Sequence, residues 1–287
     1  MMTPDEMLDK MSFQEIVQAA KEGNRDAVHA IYVIGIGYTC PGEQQDFEYA
    51  KTCLELVVDL GSVEAAWEAM KLYKIGAYAR MNLCKWEEAI AEIGSVQKMA
   101  SIVFNDDDFA DGTDEKSGKD RFDIAEEYFR EADYDMLICL MALEKEEKAL
   151  SWLDNIKPDH LYYEKYRVLR GILLFSAAAK NREVLQAAYN ELRVVEPDSA
   201  YVPKKTEILN NFDEVQYEQI NYMRAAWTLA DMYRLGIPGI LAVNVNHAHD
   251  ILESALSKLS DPDCKKSLEE ELSHYKKKLF GGFQYLQ

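Results

Sequence analysis

Apolar residues recur three or four positions apart along most of the chain, which is the spacing of one face of an α-helix. No segment alternates apolar and polar residues convincingly with the period of two that is typical of a half-buried strand. The last helical stripe consists of Cys264, Leu268, Leu272, Tyr275 and Leu279. The pattern predicts helices over 12–22, 25–38, 46–60, 62–76, 85–103, 120–131, 133–143, 145–156, 159–180, 182–195, 204–236, 244–259 and 263–280.

Residues that favour helix ends stand between these stripes. Ser12 and Glu15 have the spacing of a capping box, in which each side chain accepts a hydrogen bond from the other residue's backbone N–H. Gly61 followed by Ser62 is typical of a helix end and a new N-cap. The prolines fall between the predicted helices or before the first, where they break no helix interior. The short connections predict antiparallel neighbouring helices.

The composition is that of a folded, acidic protein. Hydrophobic residues make up 48% of the 287 residues and charged residues 29%, so the chain has enough apolar surface for a core. Asp and Glu outnumber Lys and Arg by 51 to 32, which gives a formal net charge of −19. This charge repels nucleic-acid phosphates and anionic membranes, and the basic run Lys276 to Lys278 is short. We therefore expect no nucleic acid and no membrane as a partner.

The first residues, the lengths of the apolar stretches and the cysteines indicate in which cellular compartment the protein resides. The first residues lack the cationic and apolar parts of a signal peptide, and no apolar stretch reaches the roughly 20 residues that span a bilayer. The five cysteines are odd in number, dispersed and free of Cys-x-x-Cys spacing, which is typical of reduced thiols. The sequence thus predicts a cytoplasmic protein.

One twelve-residue motif occurs twice. The segments Ala65–Gly76 and Ala225–Gly236 both read A-A-W-x5-Y-[KR]-x-G. A second class of helix leads from charged residues to an alanine, with alanines 39, 60, 39 and 60 positions apart; these are Ala50, Ala89, Ala149, Ala188 and Ala248. A unit of 35 to 40 residues, twice enlarged, describes this series and is typical of stacked helix pairs.

The repeat carries a family resemblance. The stretches Ala30–Gly42, Asp46–Ala50 and Gly61–Ala65 together resemble the SEL-one-like repeat, whose pattern is roughly A…LG..Y..G….D…A…..A…G…A, and Ala225–Ala248 is similar. The middle of the chain resembles the related tetratricopeptide repeat at Gly171, Ala187, Ala188 and Glu196-Pro197. The resemblance implies an all-α fold, an αα superhelix (solenoid) of antiparallel helix pairs, and adaptor binding rather than catalysis.

An acidic segment interrupts the predicted array. Residues 105–135 contain thirteen acidic and four basic residues, nearly half of the net charge. The sequence predicts N-terminal repeats over 1–104, an acidic loop insertion over 105–120 and C-terminal repeats over 121–287. A calcium loop around Gly112 would lack two oxygen ligands, because Phe109 and Gly118 stand where they are needed. A solvated loop, or a docking surface for a basic partner that includes Asp106, Asp107 and Asp108, is the expectation.

Other chemistry has little support in the sequence. His247 and His249 are two positions apart, so they do not share a helix face, and we predict no metal site. The chain has neither a Gly-x-Ser-x-Gly turn nor a phosphate-binding glycine loop, so no cofactor and no catalytic residues are predicted. The remaining candidate is an outward stripe of Tyr163, Arg167 and Arg170, spaced 4 and 3. Tyr and Arg dominate binding hot spots, but these side chains can instead pair with neighbouring helices or with the acidic loop itself.

These observations predict a non-enzymatic adaptor or scaffold that binds an unidentified protein or peptide on a concave helical surface. One alternative is an acidic antagonist or immunity-type protein that masks a basic partner. A second alternative is an enzyme whose site the sequence does not reveal.

Overall fold

The computed structural model describes residues 2–42, 45–114, 117–160, 162–178, 181–204, 214–278 and 281–286. The chain divides into two compact units, Met1–Cys139 and Leu140–Gln287. The division lies inside a helix, whereas the sequence-based division lies in the acidic segment. In the described part of the chain the only regular strands form one short hairpin, and an all-α fold class is confirmed.

The first unit consists of consecutive helices that pair along the chain. Side chains cap several of them, and the predicted capping box of Ser12 and Glu15 is confirmed at the start of the second helix. Gly61 has a left-handed φ of +94° and Ser62 caps the next helix, as predicted. The helices are α1 Pro4–Lys10, α2 Phe13–Lys21, α3 Arg25–Thr39, α4 Phe47–Asp59, α5 Val63–Asn82, α6 Trp86–Phe104, α7 Asp107–Ala110 and α8 Arg121–Ala142, which ends in the second unit.

The second unit adds more helices and the hairpin. Its core gathers apolar side chains from α10, α12, α13 and α14, with Tyr222, Leu229 and Leu252 completely buried. The elements are α9 Glu146–Leu153, α10 Tyr163–Ala177, α11 Arg182–Leu192, a 3-10 turn Arg193–Val195, α12 Glu214–Leu235, α13 Val245–Lys258, α14 Pro262–Leu272, β1 Tyr275–Lys277 and β2 Phe283–Tyr285.

The alanines of the repeated motif lie where helices approach closely. Ala65 and Ala66 in α5, and Ala225 and Ala226 in α12, are completely buried. An alanine side chain lets two helix backbones come close without leaving a void. The motif therefore marks a helix–helix contact in both units.

Two helix predictions are wrong in a way that burial explains. The predicted helices 120–131 and 133–143 are one continuous helix, α8. Residues 131–140 are all buried, so the helix has no solvent-exposed face there and its amphipathic periodicity disappears from the sequence. The short helices α1 and α7 were not predicted. Part of the predicted helix 204–236 lies outside the described residues, and the described part is α12.

The predicted helix 263–280 is also wrong beyond Leu272. There the chain forms the antiparallel hairpin of β1 and β2, in which Tyr275 pairs with Tyr285. Gly281 and Gly282 have left-handed φ values that favour a turn. Tyr275 points into the core from the strand, so it continues the apolar stripe although the backbone has left the helix.

In the described part of the chain, every helix is too short or too polar to span a lipid bilayer.

Candidate binding cleft

The second unit contains an open cleft of about 840 Å³. We call this cavity the large lobe. Its walls come from α10, α11, the 3-10 turn and the segment 196–202. The lining mixes charged, polar and small apolar side chains: Glu164, Arg167, Asn190, Arg193, Val194, Glu196, Asp198, Ser199, Ala200, Tyr201 and Val202.

A buried polar network fixes the segment that forms one wall of this lobe. The Tyr201 hydroxyl donates to Glu218 Oε1 at 2.7 Å, and the backbone N–H of Lys204 donates to the same oxygen at 3.2 Å. Lys165 Nζ lies 2.9 Å from Glu218 Oε2, and these two side chains are only 5% and 3% exposed. Because a buried ion pair is costly to break, Lys165 holds the Glu218 carboxylate in place. The carboxylate in turn anchors the segment through Tyr201 and Lys204.

Lys258 supports the same wall from α13. Its Nζ donates to the carbonyl oxygen of Ser199 at 3.0 Å and lies 3.5 Å from that of Glu196. Burial lowers the pKa of Lys258, and the nearby Asp198 carboxylate opposes that shift. The wall is therefore tied both to α12 and to α13.

A second cavity of about 370 Å³ adjoins the first and is called the small lobe. The two cavities share Arg193, Glu196 and Asp198. The small lobe is further lined by Pro197, Tyr233, His247 and Asp250. The two cavities therefore adjoin at the 3-10 turn, and together we call them the two-lobed cleft.

Glu196 lines both lobes and is buried. The Tyr233 hydroxyl donates to its Oε1 at 2.8 Å, and His247 Nε2 lies 2.7 Å from its Oε2. The hydroxyls of Tyr189 and Tyr233 are 3.0 Å apart, and the His247 ring meets the Tyr233 ring edge-on at 4.4 Å. Burial, the Tyr189 hydroxyl and the Glu196 carboxylate raise the pKa of Tyr233, so the hydroxyl remains a donor.

The predicted stripe on α10 has only one member in the cleft. Arg167 lines the large lobe, while Tyr163 and Arg170 are not among its lining residues. The Arg167 guanidinium lies 2.9 Å from Glu191 and 3.2 Å from Glu164, and it donates to the carbonyl of Asn190.

Arg170 has similar partners. It pairs with Asp154 at 2.7 Å and with Glu191 at 3.9 Å. Both arginines therefore contact neighbouring elements of their own unit. A role for Tyr163, Arg167 and Arg170 in partner binding stays a prediction.

The acidic segment of the first unit folds against α5. Asp106 caps α7 by accepting a hydrogen bond from the Phe109 N–H at 3.0 Å, and Asp107 and Asp108 are exposed in its first turn. The Phe109 ring lies 6.3 Å from the Trp67 ring and 4.3 Å from the Arg121 guanidinium.

Not all of the acidic residues of 105–135 face solvent. Glu131, Asp133 and Asp135 are buried, so the surface is less acidic than the sequence count indicates. Docking of a basic partner on the exposed part of the segment stays a prediction.

The two histidines of α13 face different surroundings, as predicted. His247 contacts Glu196, whereas the His249 ring stacks on Phe283 at 3.6 Å. His249, Asp250 and Glu253 bring three metal-capable atoms within 4.8 Å of one another, but both carboxylates are exposed. The prediction of no metal therefore stays a prediction.

Sequence reasoning missed the small lobe. The Glu196-Pro197 pair and the motif tyrosine Tyr233 were visible only as repeat signatures, and His247 only as a weak metal candidate. No family model matches the chain, and no curated protein is significantly similar to it.

Proposed function

We propose that this protein is a non-catalytic helical-repeat protein that binds a peptide or protein partner in the two-lobed cleft of the second unit. In this proposal the helix pairs are SEL-one-like and tetratricopeptide-like repeats that stack into an αα superhelix. The recurrence of the A-A-W motif at buried helix contacts in both units supports the repeat assignment. The free cysteines found in the described residues fit a cytoplasmic location.

The observation that carries the proposal is the fixed cleft. Its two lobes measure about 840 and 370 Å³, and buried contacts of Glu218 and Lys258 hold its wall. A cleft that is formed before binding spends less free energy on ordering itself, so more of the contact energy becomes affinity. The mixture of charged groups and small apolar side chains suits the backbone and side chains of a peptide.

The proposal is tested by filling the large lobe. Ala200 is exposed and lines the lobe, so Ala200→Trp obstructs it without disturbing the core. The matched control is Ala242→Trp, because Ala242 is also exposed in the second unit but does not line either lobe. We expect partners captured from a native lysate to be lost with Ala200→Trp and kept with Ala242→Trp. Equal capture by both variants would show that partners bind elsewhere.

A further inference from the structure

The small lobe carries an excess of negative charge. Glu196, Asp198 and Asp250 contribute three carboxylates, and Arg193 is its only arginine or lysine. The Arg193 side chain is exposed and makes no ion pair with any residue that the structure describes. The Lys258 ammonium interacts with the Asp198 carboxylate, whereas no lysine or arginine among the described residues pairs with the carboxylate of Glu196 or Asp250.

The first unit shows which group fits beside the tyrosine of the repeated motif. The Lys51 ammonium lies 5.0 Å from the centre of the Tyr73 ring and 2.7 Å from Glu92. The Tyr73 hydroxyl in turn donates to Glu55 at 2.5 Å. A tyrosine ring and carboxylates together thus hold a lysine ammonium, by cation–π attraction and by ion pairing.

The second unit shares the tyrosine–glutamate bond of this arrangement, but among the described residues its motif tyrosine is contacted by His247 and not by a lysine. Tyr233 is the motif tyrosine, and its hydroxyl donates to Glu196 just as that of Tyr73 donates to Glu55. None of the residues that line the small lobe is a lysine, and the place beside these groups is a cavity of about 370 Å³. His247 contacts one Glu196 oxygen and leaves Asp198 and Asp250 at the rim.

We propose that the small lobe binds the ammonium or guanidinium group of a lysine or arginine side chain from the peptide partner. This inference rests on the proposed function and adds the chemistry of the ligand to it. Asp198 and Asp250 pair with the incoming cation, and Glu196 and the Tyr233 ring receive it at the inner end of the lobe. The net charge of −19 also attracts a basic partner over longer distances, so the test must separate the lobe from the general field.

The experiment selects peptides from a random display library. Three proteins are compared: the unchanged chain, Asp198→Asn/Asp250→Asn in the small lobe, and Asp107→Asn/Asp108→Asn in the acidic segment. All four aspartates are exposed, and the two double variants change the net charge equally. EDTA is included because His249 Nδ1 lies 3.6 Å from Asp250 and this pair could retain trace metal. Circular dichroism confirms that each protein is folded.

We expect Lys and Arg to be enriched in peptides selected by the unchanged chain and by Asp107→Asn/Asp108→Asn, but not by Asp198→Asn/Asp250→Asn. A selected peptide is then labelled and its affinity measured by fluorescence anisotropy. Replacing its key Lys or Arg by norleucine should weaken binding to the unchanged chain about tenfold, and should matter little to the lobe variant.

The possible failures are distinguishable. If peptides bind and Ala200→Trp blocks them, but basic residues are not enriched, the inference about the small lobe is wrong and the proposed function stands. If both double variants lose the enrichment equally, the preference comes from the general field and the inference is again wrong. If the folded protein selects no peptide, the proposed function fails, and the inference fails with it.

Discussion

The two copies of the A-A-W motif differ in what surrounds them, although they share their buried alanines and a tyrosine–glutamate hydrogen bond. In both, the paired alanines are completely buried, and the tyrosine hydroxyl donates to a glutamate that precedes the motif in the chain. Around Tyr73 the polar groups are closed off by the ion pair of Lys51 and Glu92. Around Tyr233 the corresponding groups face a cavity.

The last glycine of the motif also differs between the two copies. Gly76 lies inside α5, where a β-carbon would stand only 2.6 Å from Glu92 and 2.8 Å from Lys51. Gly236 instead has a φ of +72° and follows the last residue of α12, and Pro238 prevents the helix from continuing. The same motif therefore lies inside a helix beside a closed ion-pair cluster in the first unit. In the second unit it lies at a helix end beside a cavity.

The prediction with the largest expected effect concerns the ion pair of Lys51 and Glu92 beside Tyr73, and asks whether this pair stabilises the fold. The side chains of Lys51 and Glu92 are only 5% and 12% exposed, so Glu92→Ala leaves a buried ammonium with weakened pairing. We expect the free energy of unfolding to fall by about 3 to 5 kcal/mol, measured by urea denaturation. The control is Glu88→Ala, because the Glu88 side chain is half exposed and pairs with Arg80. This control should lower the free energy of unfolding by no more than about 1 kcal/mol. Equal losses would contradict a structural role for the buried pair.

A second prediction concerns buried carboxylates that lack a lysine or arginine in direct contact. Asp133 accepts a hydrogen bond from the neutral Gln97 amide at 2.8 Å, and burial raises its pKa from 3.8 to about 6. The folded state then holds the proton more tightly than the unfolded state, so stability falls as pH rises from about 4 to 6.

Asp133→Asn imitates the protonated carboxyl at every pH. We expect this variant to be more stable than the unchanged chain by about 2 to 3 kcal/mol at pH 8, with a smaller advantage at pH 5. Urea denaturation at the two pH values measures the difference. The exposed Asp9→Asn is the control and should change stability by less than about 0.5 kcal/mol. An advantage that does not depend on pH would rule out titration of Asp133 as the cause.

A third prediction tests the backbone of Gly236. An alanine there must adopt a left-handed φ, and its β-carbon would lie 2.9 Å from Val243 Cγ2 and 3.2 Å from the Leu241 carbonyl oxygen. We expect Gly236→Ala to lower the free energy of unfolding by about 2 kcal/mol. Gly61→Ala has a similar φ of +94° but no neighbour within 4 Å, so its loss should be only about 1 kcal/mol. Equal losses would mean that contacts around Gly236 do not constrain the end of α12.

The sequence predicted what depends on neighbours along the chain. Helix periodicity, the Ser12 capping box and the Gly61 helix end need only residues a few positions apart, and all are confirmed. The split of α8 failed because a helix that is buried on every side loses its periodic signal. The hairpin was missed because Tyr275 is buried from a strand as it would be from a helix.

The cleft depends on contacts between distant residues, and for that reason it could not be predicted. Glu196 meets Tyr233 across 37 positions and His247 across 51. No local sequence pattern links such residues. Arg167 was singled out and does line the cleft, yet its donors are taken up by Glu164, Glu191 and Asn190, which its spacing on α10 could not reveal.

The smallest effect tests whether the two tyrosine–glutamate bonds are equivalent. Tyr73→Phe and Tyr233→Phe each keep the ring and remove a hydrogen bond to a carboxylate, and Tyr233→Phe also removes the bond to the Tyr189 hydroxyl. We expect each to lower the free energy of unfolding by about 1 kcal/mol. The control is Tyr163→Phe, because the Tyr163 hydroxyl makes no hydrogen bond with the residues that the structure describes; its effect should be under about 0.5 kcal/mol. If Tyr73→Phe is costly and Tyr233→Phe is neutral, the Glu196 contact contributes nothing to folding, and the motif tyrosines differ in energy although they match in geometry.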